Sequence, residues 1–110
     1  MSCTTATYDI CVDQGADLSI PITVTGLTLT GATAEMDIRE YTSSPSAILE
    51  LSTANGKIIV SGQTITINIS DTETVLFNKQ YVYDLFVTTS DTKRHKILVG
   101  KIITNLSVTR

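Results

Sequence analysis

Tryptophan is missing from this 110-residue chain, histidine occurs once (His95) and cysteine twice (Cys3 and Cys11). A single histidine gives a Ser-His-Asp or Cys-His relay only one place to form, and no Gly-x-Ser-x-Gly elbow accompanies it. Two cysteines and one histidine fall short of the four ligands of a tetrahedral zinc site. Their spacing matches no Cys-x-x-Cys motif either, so both are expected to be free thiols. The six glycines are scattered singly, which leaves no phosphate-cradling loop. No cofactor and no metal are expected. No apolar run approaches the roughly 20 residues of a membrane-spanning helix. Met1-Ser2-Cys3-Thr4-Thr5 lacks the basic-then-apolar order of a secretory signal. The expectation is a soluble protein made in the cytoplasm, with no membrane partner. Eight Lys and Arg stand against eleven Asp and Glu, a net charge of −3, which argues against nucleic-acid binding by phosphate neutralisation.

What remains is rich in Thr, Ile, Val and Ser, residues that favour strands. At 42% apolar and 17% charged, the chain has the composition of one folded domain. Apolar residues recur at every second position, the period of a half-buried strand. Tyr8, Ile10 and Val12 mark one such strand within Ala6 to Val12. After the turn residues Gln14-Gly15-Ala16-Asp17, Leu18, Ile20, Ile22 and Val24 mark the next. Pro21 cannot donate to a ladder, so it places that strand at an edge or itself at a bulge. Ala32, Ala34, Met36 and Ile38 alternate with Thr33, Glu35, Asp37 and Arg39, a strand with one charged, solvated face. Ile48 to Leu51 and Lys57 to Val60 flank Asn55-Gly56, the dipeptide suited to a type I′ hairpin. Ile65, Ile67 and Ile69 mark a further strand. Ser70 and Glu73 have capping-box spacing, so one short helix is expected near residues 71–77. Tyr81 to Thr89 and His95 to Ile103 read as a hairpin with Tyr81, Tyr83, Leu85, Ile97 and Val99 turned to the core. Gly100 marks a bulge or a close backbone approach. About seven to nine short strands with turn signals every ten residues or so predict an all-β, Ig-like antiparallel β-sandwich. The whole of residues 1–110 forms a single domain in this reading, with residues 1–6 and 105–110 as candidate assembly arms.

Few residues suggest chemistry. Lys93-Arg94-His95-Lys96 is the one basic cluster and is better read as a solvated hairpin tip that discourages edge pairing. Asp9, Asp13 and Asp17 lie four apart in strand and turn, without the ligand succession of a calcium loop. Asp84 stands inside an apolar strand, placed to face a second sheet and to pair with Arg39 or Lys101. None of these makes a catalytic pair, and no enzymatic activity is expected.

Several of these segments together carry a resemblance. They are Gln14-Gly15-Ala16-Asp17-Leu18, and Leu29-Thr30-Gly31-Ala32-Thr33-Ala34 ahead of Met36-Asp37-Ile38-Arg39. Later come Tyr81-Val82-Tyr83-Asp84-Leu85, Gly100 three residues after Ile97, and the closing Val108-Thr109-Arg110. From Gln14 to Arg110 the chain resembles small structural proteins of tailed bacteriophages that are encoded as single β-sandwich domains. The resemblance implies a virion component of the tail, collar, baseplate or fibre-attachment region, homo-oligomeric in a symmetric assembly, with other virion proteins as partners. A capsid decoration or head-fibre protein is the alternative within that class. A carbohydrate-binding host-recognition module is the alternative outside it, with Tyr41 as its best stacking residue. For the leading reading the interface is expected at the sheet edges and termini, at Ser2, Thr4, Pro21, Leu106, Val108 and Arg110.

Overall fold

The computed structural model describes residues 6–106 and residue 108. Strands β1 (Ala6–Thr7), β2 (Ile10–Asp13), β3 (Leu18–Thr23), β4 (Thr33–Arg39), β5 (Leu49–Ser52), β6 (Ile58–Ser61) and β7 (Thr64–Ile69) precede a single helical turn, α1 (Asp71–Thr74). Strands β8 (Tyr81–Thr88) and β9 (Arg94–Asn105) follow it. Strand alternation set by residue type becomes alternation of burial: β7 and β8 bury every second side chain along their whole length.

These strands form two sheets. One has the order β3-β7-β6; the other runs β9-β8-β4-β5, with β1 and β2 both added to the outer side of β9. That division is the immunoglobulin arrangement, with β3, β7 and β6 in the places of strands B, E and D and β4, β8 and β9 in those of C, F and G. Between the sheets lie Ile10, Val12, Met36, Ile38, Leu51, Ile58, Ile65, Ile67, Leu85 and Ile102, all essentially removed from water. Helix α1 spans the corner between β7 and β8. Its Glu73 carboxylate accepts the Ser70 main-chain N–H at 3.1 Å, the reciprocal arm of the expected capping box. Phe77 is buried against the Tyr81 ring, with centroids 5.2 Å apart. The Tyr81 hydroxyl accepts the Asn78 N–H at 3.1 Å. This back-reaching tyrosine at the start of the F-position strand is the tyrosine corner of Ig-like sandwiches.

Four expectations change. The sandwich is not wholly antiparallel, because β1 and β2 run parallel to β9. The strand foreseen over Ala6 to Val12 is broken at Tyr8–Asp9, and Tyr8 turns outward while Ile10 and Val12 stay inside. Asn55-Gly56 makes no hairpin: β5 pairs with β4 and β6 with β7, in different sheets, and Asn55 does not adopt the positive φ that a type I′ turn requires. The two-residue hairpin lies one connection later, at Gly62-Gln63, where Gly62 has φ +59°. Finally, a bulge on β9 leaves Ile97 between the pairs Leu85–Leu98 and Phe86–Lys96. It reverses the expected facing, so Leu98 and Ile102 point into the core and Val99 stands opposite Asp84 on the outside.

Candidate assembly interface

The outer face of the larger sheet is charged and internally paired. Register aligns Glu50, Asp37 and Asp84 across β5, β4 and β8, and like charges directly opposite one another repel. Cations beside them offset this: Arg39 donates to Asp37 at 3.1 Å, and the Lys96 ammonium lies 4.0 Å from Asp84. Asp84 therefore faces away from the second sheet, and its ion-pair partner is Lys96 in place of Arg39 or Lys101. Arg94 donates to Glu35 at 2.6 Å and stacks 3.8 Å above the Phe86 ring centre. The basic cluster is thus half folded back onto the sheet, more than a solvated tip. A shallow concavity of about 530 Å³ crosses this face, lined by Asp37, Arg39, Asp84, Phe86, Lys96 and Lys101 among others. Among the described residues, no three His, Cys, Asp or Glu side chains converge as metal ligands. His95 lies in register with Val87 near the hairpin end. The hydrogen bond from the Thr89 hydroxyl holds the nearby Asp91 carboxyl below its usual range.

The sheet edges differ in how they are finished. On β3, the main-chain bond from Val24 N–H to Gln63 O, with the β3–β7 register, assigns Leu18, Ile20 and Ile22 to the hydrogen-bonded pairs. Pro21 lies between them, so its missing N–H is on the open side of a true edge strand. On β5 the outward groups belong to Glu50 and Ser52. The Asn55 side chain occupies both: its Oδ1 accepts the Ser52 N–H at 3.0 Å and its Nδ2 donates to the Glu50 carbonyl at 3.1 Å. A third bond, from Lys57 N–H to Oδ1 at 3.1 Å, fixes the amide in place. Asn55 thus does the work of a neighbouring strand.

At the β1/β2 edge the break serves a different end. Tyr8 N–H still donates to the Val99 carbonyl at 2.9 Å, but the Tyr8 carbonyl turns inward and accepts the Tyr83 hydroxyl. The Asp9 carboxylate takes its place in the ladder, accepting the Lys101 N–H at 3.1 Å. This exchange brings the Tyr8 carbonyl across Gly100, the close backbone approach that the glycine signalled. Burial first, then the nearby Asp9 charge, raises the Tyr83 pKa above that of an ordinary phenol.

Exposed apolar residues follow both α1 and β9. Gln14 ties these segments together: its N–H donates to the Asn105 carbonyl at 2.9 Å, and its side-chain amide donates to the Phe77 carbonyl at 2.9 Å. Thr74, fully buried, donates to the Ala16 carbonyl at 2.8 Å and accepts the Gly15 N–H at 3.1 Å. Val75 and Leu76, just after α1, and Ile103 and Leu106, close to Asn105 in the chain, are exposed, Leu106 at 65%; Val108 is exposed at 99%. Of the residues expected at an interface, Leu106 and Val108 are exposed beyond β9 and Pro21 lies on the β3 edge; Ser2, Thr4 and Arg110 lie outside the described residues, as does Cys3. Cys11 is a free, exposed thiol on β2. Tyr41 is exposed in the loop after β4, apart from both surfaces in the chain. Sequence reasoning missed Asn55 as an edge cap and the exposed apolar residues after α1. The only signal for the second was that Val75 and Leu76 continue past the one helical turn. No protein-family model matches the chain, and no curated protein matches it.

Proposed function

We propose that this chain is a non-enzymatic structural protein of a tailed bacteriophage virion, used in several copies in the tail, collar, baseplate or fibre-attachment region. One observation carries the proposal furthest: Val75 and Leu76 after α1, and Leu106 and Val108 after β9, are exposed apolar residues, and Gln14 ties the two segments together through the Val75 and Asn105 carbonyls. Apolar side chains so exposed mark a seat for another protein chain more readily than a site for a small molecule. The charged outer sheet face supports the same reading, since Asp37 and Asp84 on it are paired with Arg39 and Lys96. The sequence resemblance supplies the virion context. The partners are then other virion proteins and further copies of the chain.

Negative-stain imaging of purified particles with an antibody against this protein tests the proposal. Label at the tail or collar supports it, label on the head favours a decoration or head-fibre protein, and absence from the particle refutes it.

A further inference from the structure

Strand β6 is the sheet edge left without a blocking device among the described residues. Pro21 removes a donor from the β3 edge, Asn55 fills the β5 edge, and the β1/β2 edge is interrupted at Tyr8–Asp9. On β6, the bond from Asn68 N–H to the Lys57 carbonyl at 2.8 Å fixes the parity of the ladder. With the β6–β7 register, Lys57, Ile59 and Ser61 bond inward to β7, and the N–H and C=O groups of Ile58 and Val60 point away from the sheet. Ile59 turns its side chain to solvent and is 52% exposed. No charged residue lies within β6, and Lys57, just before it, is neutralised by Glu73 of its own chain.

We infer that β6 is a self-association edge, on which Ile58–Ser61 of one copy pairs antiparallel with the same strand of a second copy about a two-fold axis through Ile59. The register closes on itself. Ile58 of one chain meets Val60 of the other, and each is a residue whose main-chain groups face outward. The two pairs therefore exchange four hydrogen bonds and join two three-stranded sheets into one of six. The two Ile59 side chains meet in the non-hydrogen-bonded position, where cross-strand side chains approach most closely. Lys57 falls opposite Ser61 of the second copy, so no like charges face each other. The occupant is a second copy because no other sequence is required to satisfy this edge. The inference stands on the edge geometry and names one partner for the assembly proposed above. Its failure would leave the virion reading to be decided by particle labelling.

A four-residue strand pair buries far less than the roughly 1,200 Å² of a standard stable interface, so trapping reads it better than chromatography. In a background with Cys3→Ser and Cys11→Ser, Ile59→Cys places two thiols on residues about 4.5 Å apart at Cα, within disulfide reach. Thr66→Cys, one strand further in on the same face, places them about three strand spacings apart, roughly 14 Å. Under mild oxidation the Ile59→Cys dimer is expected to form at least about tenfold faster than the Thr66→Cys dimer, because pairing raises the effective thiol concentration. Separately, the amide NMR shifts of Ile58 and Val60 in the natural chain should move between micromolar and millimolar protein, and Ile59→Lys should abolish the movement. Equal oxidation rates, or Ile58 and Val60 shifts independent of concentration, would overturn the inference.

Discussion

Replacing Gly100 with alanine tests the most unusual main-chain arrangement in the fold. A Cβ at this position would lie 2.0 Å from the Tyr8 carbonyl oxygen, 2.7 Å from its carbon and 3.1 Å from Cε1 of Tyr83. The nearest obstacles are main-chain atoms, so no side-chain rotation relieves the overlap. The Tyr8 carbonyl must swing away, and with it go the bond from the Tyr83 hydroxyl and the geometry that lets Asp9 bind the Lys101 N–H. Overpacking of this kind costs about 1–3 kcal/mol. Leaving the largely buried Tyr83 hydroxyl unpaired adds about 1–3 kcal/mol. The alanine recovers roughly 0.5–1 kcal/mol through its less flexible unfolded chain. The expected net loss is about 1–5 kcal/mol, or ~4–20 °C in Tm for a domain of this size.

Urea and thermal unfolding followed by circular dichroism measure this loss. A double-mutant cycle adds a sharper check, because Gly100→Ala has already broken the bond that Tyr83→Phe removes. The two substitutions should therefore cost less together than the sum of their separate costs. Gly100→Ala within about 0.5 kcal/mol of the natural chain, or strict additivity with Tyr83→Phe, would refute this account of the strand break.

Three further outcomes follow from single residues. The Thr104 hydroxyl is buried without a hydrogen-bond partner among the described residues, so Thr104→Val is expected to raise stability by about 0.5–1 kcal/mol in urea unfolding. Asn55→Ala removes three hydrogen bonds and uncovers the Glu50 and Ser52 main-chain groups. It should lower stability by about 1–2 kcal/mol in the same assay and speed aggregation measured by light scattering. Burial works against the Glu73 carboxylate, but bonds from the Lys57 ammonium and from Ser70 outweigh it and hold its pKa below the ordinary value. A depressed carboxyl pKa stabilises the fold above its unfolded value, and that contribution disappears as pH falls through the folded one. Glu73→Gln should therefore lose stability at neutral pH, and the gap to the natural chain should close in acid; a gap that persists at low pH contradicts this.

Local chemistry made much of the fold readable from residue order. Leu18 to Val24, Ala34 to Ile38 and Ile65 to Ile69 each alternate without interruption, and each becomes a strand with the expected face inside. Ser70 and Glu73 start the helix because side chains three apart can reach back to the chain entry. Alternation names a face, however, and no partner. Nothing in Ile10-Cys11-Val12 distinguishes parallel addition to β9 from antiparallel addition to β3. One inserted residue at Ile97 reverses the facing of everything after it, and Ile97 and Leu98 are both apolar, so either was chemically fit for the core. Asn55 favours a tight turn, but its amide also matches a free strand edge, and the second use prevailed once β5 and β6 belonged to different sheets. Pro21 was legible as an edge residue because a missing donor has the same meaning in any topology. The remaining edges became distinguishable only when strand order was known.

That edge pattern constrains how copies of the chain could come together. A sandwich with every edge open would pair promiscuously in the cell, and one with every edge blocked would have to assemble through side chains alone. Here the two-fold contact inferred at β6 would supply four main-chain hydrogen bonds, each worth about 0.5–1.5 kcal/mol net. That gain is comparable to the freedom lost on association, so free copies would stay largely separate in dilute solution. The apolar segment at Leu106 and Val108, which follows β9, presents side chains in place of main-chain groups. If that segment were seated on a partner that holds several copies close together, the effective concentration at β6 would rise by orders of magnitude, and the weak edge would close only there. Weakness at β6 would then be what keeps assembly conditional on the other contact. The order of events follows: removing the apolar side chains at Leu106 and Val108 should abolish assembly outright, whereas disrupting β6 should leave copies attached but unpaired.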